Sequence, residues 1–120
     1  MKAKSFCLQL RTERAPQFID ITGWVGECVA KSKVSNGFVG VYSKHTTAAI
    51  KINENEPLLI EDMSKFLEKI SPRNGGYQHN DFTIRTVNMT SDESPNAHAH
   101  LQHLLLGTSE TVPIVDGSMQ

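Results

Sequence analysis

His45 begins the run His45-Thr46-Thr47-Ala48-Ala49-Ile50, His79 begins His79-Asn80-Asp81, and His98 and His100 stand in Asn96-Ala97-His98-Ala99-His100. Four of the five histidines therefore lie in short polar phrases. An imidazole titrates near ~6.5 and binds metals when neutral, so this set points to proton transfer or a held cation. Beside His45, Lys44 and the hydroxyls of Ser43, Thr46 and Thr47 gather at the exit of an apolar run, which suits a metal ligand or an anion pocket. The plainer alternative is a hydrogen-bonded strand end with threonines as sheet formers. Glu54 is a candidate general base, with a helix cap as its ordinary alternative. Asp81 can hold His79 from behind, and Arg85 can grip a phosphate or carboxylate. His98 and His100 lack the i, i+4 spacing of helical zinc ligands, and one intact helix points them in different directions.

Elements must aim these groups. Residues 3–11 alternate Phe6, Leu8 and Leu10 with polar neighbours and predict a half-buried strand. Thr22 is the expected cap of a helix whose face carries Val25, Cys28 and Val29. Asn36-Gly37 marks a turn into a strand over residues 38–42, and residues 48–52 read as a second extended run with His45 between the two. Asn55-Glu56-Pro57 starts an amphipathic helix carrying Leu59, Met63, Phe66, Leu67 and Ile70, which the run from Pro72 to Gly76 ends. Residues 77–95 form a long polar loop with a weak strand at residues 83–87, and its first residues are a candidate wall of the site. Ser94-Pro95 predicts the cap of a helix over residues 97–106, with Ala97, Leu101, Leu104 and Leu105 as its buried face. Residues 110–115 are a last strand, followed by an Asp116-Gly117 turn whose partner strand is expected to be missing.

With 120 residues the chain fits one domain. A formal charge of -1 with interspersed signs offers no basic stripe for nucleic acid. No apolar run approaches the ~20 residues of a membrane span, so the expectation is a protein without membrane or nucleic-acid partners, cytoplasmic by default. Cys7 and Cys28 are expected to be buried reduced thiols. A phosphate-cradling glycine loop, a nucleophile elbow and a dinucleotide fingerprint are all absent.

Read in order, His45-Thr46-Thr47-Ala48-Ala49-Ile50, Asn53-Glu54, Tyr77-Gln78-His79-Asn80-Asp81, Asn96-Ala97-His98-Ala99-His100-Leu101, and Leu106-Gly107-Thr108-Ser109 with Val112-Pro113 resemble the YjbQ family, also called UPF0047. The resemblance implies an α+β fold, a single compact domain over residues 1–120 with a mixed or antiparallel sheet packed with about three helices, assembled as a homotrimer. The family pattern continues past the Asp-Gly turn, so this chain, ending at Ser118-Met119-Gln120, is expected to lack the last strands. Members are usually labelled secondary thiamine-phosphate synthases. Transferred position by position, the site becomes His45, Glu54, His79, Asp81, Asn96, His98 and His100 with Thr46 and Thr47 beside them. His45, Glu54, His79, Asp81 and His100 are the expected catalytic residues, and Thr46, Thr47 and Asn96, joined by Arg85 from the residue reading above, are expected to bind a small phosphorylated metabolite. His45, His79, His98 and His100 are the expected ligands of a divalent metal, zinc, manganese or magnesium, although many relatives carry Asp where His98 stands. Two alternatives use the same residues: metal-assisted hydrolysis of a small phosphorylated metabolite, and a non-catalytic trimeric metal- or metabolite-binding protein.

Overall fold

The computed structural model describes residues 1–120 and divides into two compact units, residues 1–41 with 110–120 and residues 42–109. In the first unit, α1 (Thr22–Ser32) is followed by β1 (Gly37–Tyr42), β2 (Ser109–Val115) and β3 (Ser118–Met119), the sheet order being β1-β2-β3. Tyr42 and Ser109, the end residues of β1 and β2, belong to the second unit. β2 and β3 run antiparallel with Ile114 opposite Met119 and Val115 opposite Ser118. The partner strand after Asp116-Gly117 is therefore present, though only two residues long. Asp116 at φ 49° and Gly117 at φ 79° give that turn the positive angles a tight hairpin needs.

α1 starts one residue earlier than a Thr22 cap would require. Thr22 is its first residue, and its N–H donates to Asp20 Oδ1 at 2.9 Å. Val29 of α1 and Ile114 of β2 are the buried apolar side chains of this unit. Residues 3–11 form no strand, and Phe6, Leu8 and Leu10 are about half exposed. Alternation prepares a segment for a sheet, but a strand exists only against a neighbour, and β1, β2 and β3 complete the sheet without this segment. Cys7 is exposed and Cys28 half-buried, both as free thiols, so neither is the buried thiol expected.

In the second unit α2 (Pro57–Ile70) and α3 (Ala97–Leu106) are the main elements, with a 3-10 turn at Gln78–Asn80 between them. α2 begins as expected: Glu56 caps it through the N–H groups of Leu58 and Leu59, with Pro57 in the first turn. Those two N–H groups hold the Glu56 carboxyl below its usual range. α3 has the expected bounds, and Ala97 is buried as expected, but the rest of its expected face turns outward. Leu104 and Leu105 are 76% and 68% exposed, whereas His98 and Gln102 are 7% and 8% exposed. The cause is polar. Gln102 Nε2 donates to the Leu67 and Ser71 carbonyls at 3.2 and 3.1 Å, and Ser71 Oγ donates to the His98 carbonyl at 3.2 Å. The Leu67 carbonyl already takes the Ser71 N–H at 3.0 Å and accepts Gln102 as a second donor. The Ser71 carbonyl just past the helix takes Gln102 at a junction where Ser71 itself is buried, so the buried side of α3 is set by these polar contacts.

Residues 48–52 and 83–87, expected to be extended strands, belong to no sheet. Ile50 N–H reaches the Gly107 carbonyl at 3.3 Å, one bond rather than a ladder, and residues 82–84 turn. No helix of the chain is long and apolar enough to cross a membrane.

Candidate functional site

α3 and the 3-10 turn bring two imidazoles together. The rings of His79 and His100 meet edge to face with centroids 5.0 Å apart and an interplanar angle of 78°. They line an open groove of about 300 Å³ together with Tyr77, Gln78, Ala97 and Leu101. His79 Nε2 lies 3.2 Å from Asn96 Oδ1. Burial, reinforced by the neighbouring His79, pushes the His100 pKa below the ordinary imidazole value. Arg85 and His103 add to the depression, and the Thr46 backbone at the ring opposes it. His100 is thus neutral near pH 7 and can accept a proton or a hydrogen bond.

The groove's wall is tied at both ends. Tyr77 Oη donates to the Pro72 carbonyl at 2.8 Å and stands 3.1 Å from Ser71 Oγ, so the start of the 3-10 turn is fastened to the end of α2. Gly75 makes this possible, because a Cβ there would lie 2.5 Å from the Tyr77 ring. On the far side, His103 Nδ1 stands 2.8 Å from the Ala48 carbonyl and ties residues 45–50 to α3.

The remaining sequence-predicted residues go elsewhere. Asp81 turns on its own loop: Oδ1 accepts from Thr83 Oγ1 at 2.6 Å and Thr83 N–H at 3.0 Å, which holds its carboxyl below the usual range. It does not stand behind His79. Arg85 pairs with Glu93 at 2.8 Å, with both side chains 13% exposed, and its other nitrogens donate to the Val87 and Asn88 carbonyls at 3.3 and 2.7 Å. Its donors are spent on its own loop rather than held for a ligand phosphate. His98 faces away from His100, and its buried Nδ1 has no hydrogen-bond partner. His45, Thr46, Thr47 and Glu54 are exposed on residues 45–54, where Thr46 approaches the pair through its backbone. Asn96 serves His79 directly and is half-buried.

The donor set does not fit a metal centre within one chain. No group of three or more His, Cys, Asp or Glu side chains converges, and two imidazoles fall short of the three or four protein ligands usual for zinc. The sequence reading put Tyr77 and Asn80 in a candidate wall of the site without seeing what they bond, left His103 as a surface residue, and missed Gln102. Asn80 follows His79 directly and Gln102 lies one helical turn from His98, but their partners are remote in the sequence, so only the fold reveals them.

A family model for YjbQ-like UPF0047 proteins matches residues 7–120. A UPF0047 protein of Methanothermobacter thermautotrophicus is 41% identical over 93% of this chain and 71% of its own length. One from Archaeoglobus fulgidus is 39% identical over 93% and 78%. Among solved structures, a YbjQ-like protein of unknown function from Sulfolobus solfataricus superposes with a TM-score of 0.80 at 32% identity, covering 92% of this chain and 72% of that one. A YjbQ/UPF0047 protein of Clostridium acetobutylicum gives 0.78 at 36%, covering 92% and 77%. With the family pattern matched over almost all its residues and the fold shared by archaeal and bacterial relatives, the chain belongs to the YjbQ/UPF0047 family.

Proposed function

We propose that the His79–His100 groove is a catalytic site for a small phosphorylated metabolite, and that thiamine-phosphate-synthase-like transfer is its reaction. The supporting observation is the close edge-to-face pair in an open groove, with His100 held neutral by burial and its neighbour. In that reaction the ring nitrogen of a thiazole phosphate attacks the methylene carbon of a pyrimidine diphosphate. The C–N bond forms as the C–O bond breaks, and diphosphate leaves with the electron pair. A neutral imidazole at His100 suits the uncharged parts of such substrates, where it can hydrogen-bond and orient ring heteroatoms. The departing diphosphate needs positive charge. Arg85 is committed to Glu93, so the charge comes from Lys44, Lys51 or a cation carried in with the substrate.

Metal-assisted hydrolysis is less well supported, since it asks one chain for a ligand set that does not converge. The homotrimer implied by the resemblance finds support in the exposed Leu58, Phe66, Leu104 and Leu105, apolar surface of the kind that partner subunits cover.

The test incubates the chain with both substrates, with and without added magnesium, manganese or zinc, and identifies products by mass spectrometry. Thiamine phosphate from the native chain, at least tenfold less from His100→Ala, is the expected result. Phosphate release without C–N bond formation would replace the transferase by the hydrolase. No turnover alongside saturable binding would leave a binding protein.

A further inference from the structure

Asn96 holds the N-cap position of α3 yet makes no side-chain cap hydrogen bond. An asparagine there ordinarily folds its side chain back onto the N–H groups of its own helix. Asn80 does the capping instead, from outside the helix. Its Oδ1 accepts from the Asn96 N–H at 3.2 Å and the Ala97 N–H at 3.0 Å. The Asn96 side chain is thereby released, and its Oδ1 meets His79 Nε2 at 3.2 Å.

We propose that Asn80 and Asn96 form a crossed pair that fixes the tautomer of His79, with the hydrogen on Nε2 and Nδ1 as the ring's accepting atom. An amide oxygen only accepts, so the imidazole nitrogen facing it carries the hydrogen. A neutral ring has one N–H, which leaves Nδ1 the lone pair. The pairing extends the catalytic reading of the groove by naming what His79 takes there: an N–H or O–H donor, such as the exocyclic amine of an aminopyrimidine. Neither asparagine need touch the ligand. Both are positioning residues.

The test uses the full chain labelled with 15N at histidine, at a pH where the imidazoles are neutral, with no substrate present. The native His79 should show a single Nε2–H tautomer whose proton is protected from exchange with water. Asn96→Ala, which leaves the Asn80 cap in place, should abolish that protection, and Asn80→Ala should weaken it while Asn80→Asp preserves it. Circular dichroism reports whether α3 survives in each variant, and Asn96→Ala carries the test alone if Asn80→Ala loses it. An Nδ1–H tautomer in the native chain, or undiminished protection in Asn96→Ala, overturns the proposal. A chain that forms no thiamine phosphate yet shows the protected Nε2–H keeps the crossed pair and loses only the catalytic reading.

Discussion

Residues 77–80 with the head of α3, and residues 81–93, are both rich in polar side chains, the first in His and Asn and the second in Asp, Thr and one Arg, and they end in opposite states. In the second stretch the groups singled out for chemistry are used up locally: Asp81 on Thr83, and Arg85 on Glu93 and two carbonyls. In the first, two asparagines do the structural work and leave two imidazoles at an open groove. Chemical potential in a site is what remains after the fold has satisfied its own donors and acceptors. A carboxylate and a guanidinium satisfied by a loop brace that loop, while an imidazole held by one nitrogen keeps the other for use.

The comparison breaks most visibly in activity. His100→Ala should lower turnover at least about tenfold, through the lost orientation of the substrate ring, with the fold intact by circular dichroism. Arg85→Ala should leave activity per folded molecule within about threefold, as expected of a residue whose interactions are structural. A folded Arg85→Ala chain that is inactive would return the guanidinium to the site. In stability the order reverses. Losing the Val87 and Asn88 carbonyl bonds alone should cost Arg85→Ala about 2 kcal/mol in urea unfolding, at about 1 kcal/mol per hydrogen bond. Gly75→Ala drives a Cβ against the Tyr77 ring and should cost about 1–2 kcal/mol, with His79 displaced from His100. Unchanged stability there would mean that the Tyr77 clamp is slack.

The two stretches also differ in their dependence on pH. Arg85 holds the Glu93 carboxyl below its usual range, so the folded state favours the ionised form. That stability is present above the ordinary carboxylate pKa and lost as pH falls through the depressed folded value. Glu93→Gln should flatten the acid limb of the melting temperature, and an unchanged limb would remove the brace. His100 is shifted down as well, mainly by burial and then by His79, so protonation favours the unfolded chain and stability falls as pH drops below the ordinary imidazole value. His79→Ala should move the His100 proton NMR titration upward by a small amount, the least of these effects. A downward movement would contradict the repulsion.

Local chemistry was legible in the sequence where it acts locally. Pro57 after Glu56 gives α2 its start, and Leu59, Met63 and Leu67 turn inward as their spacing predicts while Phe66 and Ile70 of the same expected face stay exposed. The bounds of α3 follow from the residues around Pro95 and Gly107. The rotation of α3 was not legible, because Gln102 answers carbonyls on α2 that no periodicity count includes. Residues 3–11 misled for a related reason: Phe6, Leu8 and Leu10 alternate, but alternation supplies no neighbouring strand. At the site the histidines stood out by type, but the pairing of His79 with His100, the separation of His98 and the saturation of Arg85 are non-local facts.

The central claim is that the groove beside His79 and His100 receives the ligand. Its most direct test is backbone amide NMR of the chain titrated with the pyrimidine diphosphate. Saturable shifts confined to Gln78, His79, Ala97, His100 and Leu101, and abolished in His100→Ala, are the result this site requires. Shifts centred on Arg85 and Glu93, with the groove silent, would contradict it.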